Sequence, residues 1–389
     1  MVQRMGEQDR AKHGSMLVRG LVMVVLLLSI IGCTDSGNSN SSNSSSSSPF
    51  GSTATTSGIP LGPNTTNSQT PSAALLIPGH QPPKNVNVPT GSVSPLLFGT
   101  NLSLYDSNDQ VLQSAATRTA LANMHFRIIR MPVRPTLSNN VEIQAAQAIK
   151  SIGAYALVSL RGAVDTNVLT DDTRIINDMN SVFGQTVVFY EYGNEEDLLG
   201  INVANYTASW NAIVPQLKRI ALNGHFIGPV NYHYDRAYLT TFLQQANPRP
   251  DEISWHEYTC DDASDNTTCI ANISSWTTHI NDARNAMLAT LHTALPIMIT
   301  EWNYAPNAQN NDGKINDSNF MTTWTTKALV TLAASRIFAS MQYACTDSVY
   351  ALVSNNGTPT AQGITIGNLY QRMIINNQPP PAAPTATSH

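Results

Sequence analysis

Eight times between residues 95 and 375, a short apolar or β-branched run is followed by a longer stretch whose apolar residues recur every three or four positions. The first pattern is that of a buried strand, the second that of an amphipathic helix. The strands are expected at 97–102, 126–131, 155–160, 187–192, 226–230, 253–255, 297–300 and 337–343. The clearest helical stretches are 141–152, 210–222, 280–291 and 320–334. Gly153, Gly184 and Gly224 stand where a helix should stop before the next strand, a position that favours a left-handed residue. Strands alternating with helices pair in parallel. Eight such units in about 280 residues fit a closed barrel better than an open doubly wound sheet. No Gly-x-Gly-x-x-Gly opens a helix after the first strand, which weakens a nucleotide-binding alternative. The expected fold class is α/β, a single (β/α)8 TIM barrel over 91–376.

The ends of the chain read differently. Residues 21–31 form an apolar run preceded by Arg19, Lys12 and Arg10. Spanning a bilayer takes about twenty apolar residues, so this run suits a signal-peptide core instead. It ends in Ile30-Ile31-Gly32-Cys33, which resembles the lipobox of bacterial lipoproteins, where the cysteine is acylated and becomes the mature N-terminus. Met16 would begin a more compact signal than Met1. Residues 1–33 are therefore expected to be a signal peptide with lipidation at Cys33, tethering the protein to the outside of a bacterial membrane. From 34 to 90 Ser, Asn, Thr and Pro dominate, with an unbroken serine run at 44–48. Such a stretch buries too little apolar area to offset its ordering entropy and reads as a flexible linker. Residues 377–389 read as a disordered tail.

Only 12% of residues are charged and the formal charge is -5. That argues against nucleic acid as a partner, since phosphate binding needs a basic face. A monomer without cofactor or metal is expected.

In a barrel of this kind the functional face lies at the C-terminal ends of the strands. The fourth strand ends Tyr190-Glu191-Tyr192-Gly193-Asn194-Glu195, and the seventh runs Ile297-Met298-Ile299-Thr300-Glu301-Trp302-Asn303. Glu195 and Glu301 are 106 positions apart, close to three β-α units, so their strands lie across the barrel mouth. Two carboxylates facing across a cleft are what glycoside hydrolysis requires.

Asn194-Glu195 after strand four and Glu301 after strand seven resemble glycoside hydrolase clan A. The resemblance implies that Glu195 is the acid/base and Glu301 the nucleophile. Arg130, closing strand two in Ile128-Ile129-Arg130-Met131-Pro132, matches an arginine that braces the nucleophile. His256-Glu257-Tyr258, closing strand six, matches a His-x-Tyr motif whose Tyr bonds the nucleophile. Thr300-Glu301-Trp302-Asn303 and Glu191-x-x-Asn194-Glu195 look most like the xylosidase/iduronidase family 39 and its arabinofuranosidase and heparanase-type relatives. The match departs from family 5 cellulases, since Leu160-Arg161-Gly162 has no His and Gln342-Tyr343-Ala344-Cys345 no Trp.

The roles also follow from chemistry. Glu195 needs a raised pKa to carry a proton near neutrality, while Glu301 should be ionised beside a cation such as Arg130 and a donor such as Tyr258. Strand alternation puts Ser254, His256 and Tyr258 on one side and Trp255 on the other; a structural role for His256 stays open. Asn194 is placed to bond a sugar 2-hydroxyl. Glu191 reads as a buried partner for an arginine. Trp302, Tyr105, Tyr232 and Tyr343 are candidate platforms for a sugar face, with plain packing as the alternative. Arg161 reads as a surface ion-pair residue or a donor to substrate. Cys260 and Cys269, nine apart in an exported chain, suit a disulfide, which would leave Cys345 as a buried thiol. The expected function is a retaining glycosidase acting on extracellular poly- or oligosaccharides. A non-catalytic carbohydrate-binding surface lipoprotein is the alternative. Serine and zinc hydrolases lack their Gly-x-Ser-x-Gly and His-Glu-x-x-His signatures.

Overall fold

The computed structural model describes residue 86 and residues 92–382, except 262 and 307–311. The signal-like segment with Cys33, and nearly all of the expected linker, lie outside the described residues. Eight parallel strands are present: β1 (Gly99–Asn101), β2 (Ile128–Pro132), β3 (Tyr155–Leu160), β4 (Val188–Tyr192), β5 (Gly224–Ile227), β6 (Ile253–Tyr258), β7 (Ile297–Asn303) and β8 (Ala339–Gln342). Their hydrogen-bonded order is β5-β4-β3-β2-β1-β8-β7-β6. Two single parallel bridges, Ile227 to Glu252 and Asn231 to Trp255, join β5 to β6 and bring the sheet round into a nearly closed barrel.

Helices fill the connections, including Asn139–Ile152, Val168–Phe183, Val203–Leu217, Ser274–Leu291 and Ser318–Ala334. Gly153 (φ 83°) and Gly184 (φ 60°) end the first two of these at positive φ. Gly224 differs from expectation. The helix before it stops at Leu217 and Gly224 opens β5, where a Cβ would lie 2.7 Å from that of Ala221. Its role is close packing of strand on turn rather than helix termination.

The barrel interior changes character along its axis. Ile128, Leu157, Phe189, Ile227, Met298 and Met341 form an apolar floor, against which Val86 also packs. Toward the strand ends the inward positions become Arg130, Glu191, Ser254, His256 and Glu301. Outside the strands, a larger apolar layer joins sheet to helices. This division follows from the two-residue period of a strand, with one irregularity that matters. In β7, Met298 faces the floor and Ile299 the helices, so regular alternation would turn Glu301 outward. A register shift between Ile299 and Trp302 reverses the parity. Glu301 thereby points in and Trp302 out.

At the start of the expected tail, residues 377–382 have no regular secondary structure but meet the last helical turn at two hydrogen bonds. The Gln378 N–H donates to the Arg372 carbonyl, and Arg372 Nε to the Pro379 carbonyl, both at 2.9 Å. Among the described residues no helix is long and apolar enough to cross a membrane.

Candidate active site

Arg130 organises the open end of the barrel. It is 3% exposed and its guanidinium spends its donors on three strands. Nε donates to Glu191 Oε2 at 2.6 Å, Nη1 to Glu301 Oε1 at 2.5 Å and to Asn101 Oδ1 at 3.1 Å, and Nη2 to Asn194 Oδ1 at 2.5 Å. The second oxygen of Glu191 accepts the Ser254 hydroxyl at 2.7 Å. Two carboxylates around one buried cation, each with a further donor, make a satisfied network rather than a lone buried charge.

Glu301 accepts at both oxygens, since Tyr258 donates to Oε2 at 2.9 Å. Burial by itself would raise this carboxyl, but the charges of His256 and Arg130 and the Tyr258 hydroxyl outweigh it and hold the group below the usual carboxylate range. Glu195 behaves oppositely. Burial pushes it up, the Glu301 charge adds to that, and His256 opposes both; the result is raised. Its Oε1 lies 2.6 Å from His256 Nδ1, and that same nitrogen lies 3.8 Å from Glu301 Oε2. At 2.6 Å one hydrogen lies between imidazole and carboxylate, so the pair holds a proton in common. Burial favours the neutral imidazole, but Glu301 and Glu195 outweigh it and raise the His256 pKa.

Ligand atoms of Glu195, His256 and Glu301 all lie within 4.8 Å of one another, a spacing that could also hold a metal ion. The guanidinium of Arg130 on Glu301 makes the place a poor one for a second cation.

The backbone beneath Glu195 is unusual. Glu195 has φ 50° and Val230, across the gap at the end of β5, has φ 58°. A left-handed β-branched residue costs about 1–3 kcal/mol and persists only where its surroundings fix it. Here the Glu195 N–H donates to the Val230 carbonyl at 2.9 Å, and the Val230 N–H to the Ser254 carbonyl at 3.1 Å. The strain lies directly under the acid.

The remaining expected residues fall into two groups. Asn194 is exposed and has its carbonyl oxygen taken by Arg130, which leaves its amide NH2 as the outward donor. Tyr232 is half-buried, 6.3 Å from the Tyr258 ring. Burial and the charges of Glu195 and Glu301 keep its phenol protonated. Tyr343 is feeling the Glu301 charge as well, and its hydroxyl lies 3.3 Å from that of the exposed Tyr105. Arg134 sits 4.5 Å over one face of the Tyr105 ring. Tyr232 and Tyr343 stand near the carboxylates, with Tyr105 beside Tyr343. Trp302 faces away from them. It is fully buried, with the Trp324 ring at 5.8 Å and Trp276 at 6.4 Å, because the β7 irregularity turned it toward the helices. The platform expectation for Trp302 is corrected to core packing. Trp255 also faces outward, its indole N–H on Glu257. Arg161 faces Asp165 and Asp171 at 3.9 and 3.8 Å. Cys260 and Cys269 are joined in a disulfide after β6, and Cys345 is a buried free thiol.

Asn101 and Ser254 complete the network and were not singled out in the sequence. Asn101 is a polar residue closing β1, the same signal that marked Arg130. Ser254 shares its side of β6 with His256 and Tyr258, but its partner Glu191 comes from another strand.

No protein-family model matches the chain, and no curated protein matches it in sequence. Solved structures do match. A family 51 α-L-arabinofuranosidase from Bifidobacterium longum aligns with a TM-score of 0.56 at 11% identity, over 71% of this chain and 73% of that one. The family 51 arabinofuranosidase of Xanthomonas axonopodis pv. citri gives 0.54 at 15% identity, over 72% and 73%. A family 44 xyloglucanase from Paenibacillus polymyxa gives 0.51 at 12% identity, over 74% and 77%. The barrel is shared. At these identities the likeness is one of fold.

Proposed function

We propose that the chain is a retaining O-glycosyl hydrolase of the clan A type, cleaving extracellular poly- or oligosaccharides by double displacement. The observation that carries this is the pairing of Glu195 with Glu301 across the barrel mouth, with one carboxylate oxygen of each within 4.8 Å of the other. Retaining glycosidases keep their carboxyls about 5–5.5 Å apart, while inverting ones leave about 6.5–9.5 Å for a water. The two carboxyls also have opposite environments, one raised and one lowered, which separates an acid from a nucleophile.

In the first half of the reaction Glu301 attacks the anomeric carbon, and Glu195 gives its proton to the departing glycosidic oxygen. The Glu301 ester bond forms as the glycosidic bond breaks. In the second half Glu195, now a base, takes a proton from water as the water's oxygen attacks the same carbon, and Glu301 leaves. Arg130 and Tyr258 keep Glu301 oriented and ionised, and Asn194 offers its amide to a hydroxyl beside the reacting carbon. The solved structures of similar fold include arabinofuranosidases and a xyloglucanase, which supports glycoside chemistry on this scaffold. The narrower likeness to family 39 rests on the motifs around Glu195 and Glu301 alone.

The test is a panel of nitrophenyl glycosides and plant or microbial polysaccharides, with proton NMR following the first-formed anomer. Release of sugar with retained configuration is expected. Inverted product would overturn the mechanism, and sugar binding without release of reducing ends would favour a non-catalytic binding protein.

The envelope location is part of the proposal and rests on residues 21–33. Cells fed labelled palmitate should incorporate it into the protein, and Cys33→Ser should abolish the label; equal labelling of the variant would contradict the anchor.

A further inference from the structure

Glu196 follows Glu195 directly, yet its side chain goes the other way, into the protein, and is 1% exposed. Its Oε1 accepts the Val164 N–H at 3.3 Å, and the Ala163 N–H also acts on the carboxylate. Its Oε2 is buried and has no hydrogen-bond partner in the protein. Two glycines make room for it. A Cβ on Gly162 would lie 1.6 Å from Oε1, and one on Gly193 would lie 2.6 Å from it. The surroundings are acidic and phenolic. Asp165 comes from the loop after β3 and Asp197 from its own segment, while Tyr192, Tyr206 and Tyr238 close in from β4 and the helices. Burial first, with Asp165 and Asp197 adding to it, pushes the Glu196 carboxyl up to about 7 against the pull of its two N–H donors.

A carboxyl kept in so unfavourable a place needs a reason beyond filling space. The geometry supplies one. The segment carrying Glu195 is tied to β5 by the Glu195 N–H on the Val230 carbonyl and by Asp197 Oδ1 on the Tyr232 N–H. On its N-terminal side stands Gly193 at φ 81°, which has no side chain to hold it. The tie toward β3 is Glu196. The loop it grips is itself fastened to acids, with the Arg161 N–H on Asp172 and the Gly162 N–H on Asp165.

We propose that Glu196 is a positioning residue: it clamps the loop at 161–165 to the end of β4 and thereby fixes the pose of the acid/base Glu195. This inference rests on the proposed hydrolase function. An acid displaced by about 1 Å loses on the order of a hundredfold, and in kcat/KM, which reports the first half of the reaction, that loss falls on substrates that need protonation of the leaving oxygen.

The experiment compares kcat/KM for an alkyl glycoside, a poor leaving group, with that for the dinitrophenyl glycoside of the same sugar. Glu196→Ala is expected to lower the alkyl value by about ten- to a hundredfold and the dinitrophenyl value by no more than about threefold. Glu196→Gln, an isostere of the protonated acid, keeps the oxygen that accepts from Val164 and should recover most of the alkyl activity. Gly162→Ala drives a methyl into Oε1 and toward the Gly193 backbone, parting the same two segments, and should reproduce the alanine pattern with Glu196 unchanged in identity. Equal losses on both substrates, no loss at all, or a Gln variant as impaired as Ala would overturn the assignment. If Glu196→Ala does not fold, a Gly162→Ala enzyme with wild-type alkyl activity overturns it equally. Glu195→Ala is measured alongside. Its own leaving-group-dependent loss, with Glu196→Ala unaffected, sinks only this inference, whereas a wild-type protein that cleaves no glycoside sinks the hydrolase reading and this one with it.

Discussion

Glu301→Gln should cut glycoside turnover by on the order of 10,000-fold or more, because in the proposed mechanism Glu301 is the group that bonds to the anomeric carbon. The replacement is isosteric: its amide oxygen can accept from Arg130, and its NH2 can donate to the Tyr258 hydroxyl, which turns from donor to acceptor. The variant should therefore remain folded, with its unfolding midpoint close to the wild type. Loss of activity with retained fold assigns the effect to chemistry. Unchanged initial rates would remove Glu301 from the mechanism.

Arg130→Leu should have the largest effect on the fold. The substitution leaves Glu191 and Glu301 buried without their common cation, and stranding a buried charge this way costs about 3–5 kcal/mol. Its pH dependence has a definite sign. Glu301 is held below the ordinary carboxylate range in the wild type, so its contribution to stability is present above that range and lost as pH falls through the lowered pKa. The stability gap between variant and wild type should thus be widest near neutrality and shrink in acid. The acidic limb of kcat/KM should move to higher pH, since burial of Glu301 is no longer opposed by Arg130. Denaturant unfolding at several pH values, with rate profiles over the same range, checks both. A gap that widens in acid would contradict the assigned network.

Much of the barrel was legible because its signals are local. The strand at 155–160 was read to the residue, and β4 to within one, since apolar runs bounded by glycine leave little freedom. The carboxylates were legible for a related reason: a Glu that interrupts an apolar strand near its C-terminal end has few other uses in a barrel. What the sequence withheld was anything depending on parity or on a neighbour from another strand. Trp302 was read as a platform because it adjoins Glu301, and nothing in Ile299-Thr300-Glu301-Trp302 announces the register shift that points Glu301 in and turns the indole to the helices. Glu196 carries no signal of its own in the sequence. Its meaning comes from Gly162 and Val164, more than thirty positions earlier, and from a backbone turn at Glu195 with positive φ that no residue type there demands.

The most direct test of the central claim is intact-mass and peptide mass spectrometry of the protein after reaction with a fluorinated aryl glycoside of whichever sugar the panel identifies. Such a reagent forms the glycosyl ester quickly and releases it slowly. One sugar per chain, on the peptide containing Glu301 and absent from Glu301→Gln, is the predicted result. A sugar found on the peptide containing Glu195 instead, or no adduct while hydrolysis of the parent glycoside proceeds, would contradict it.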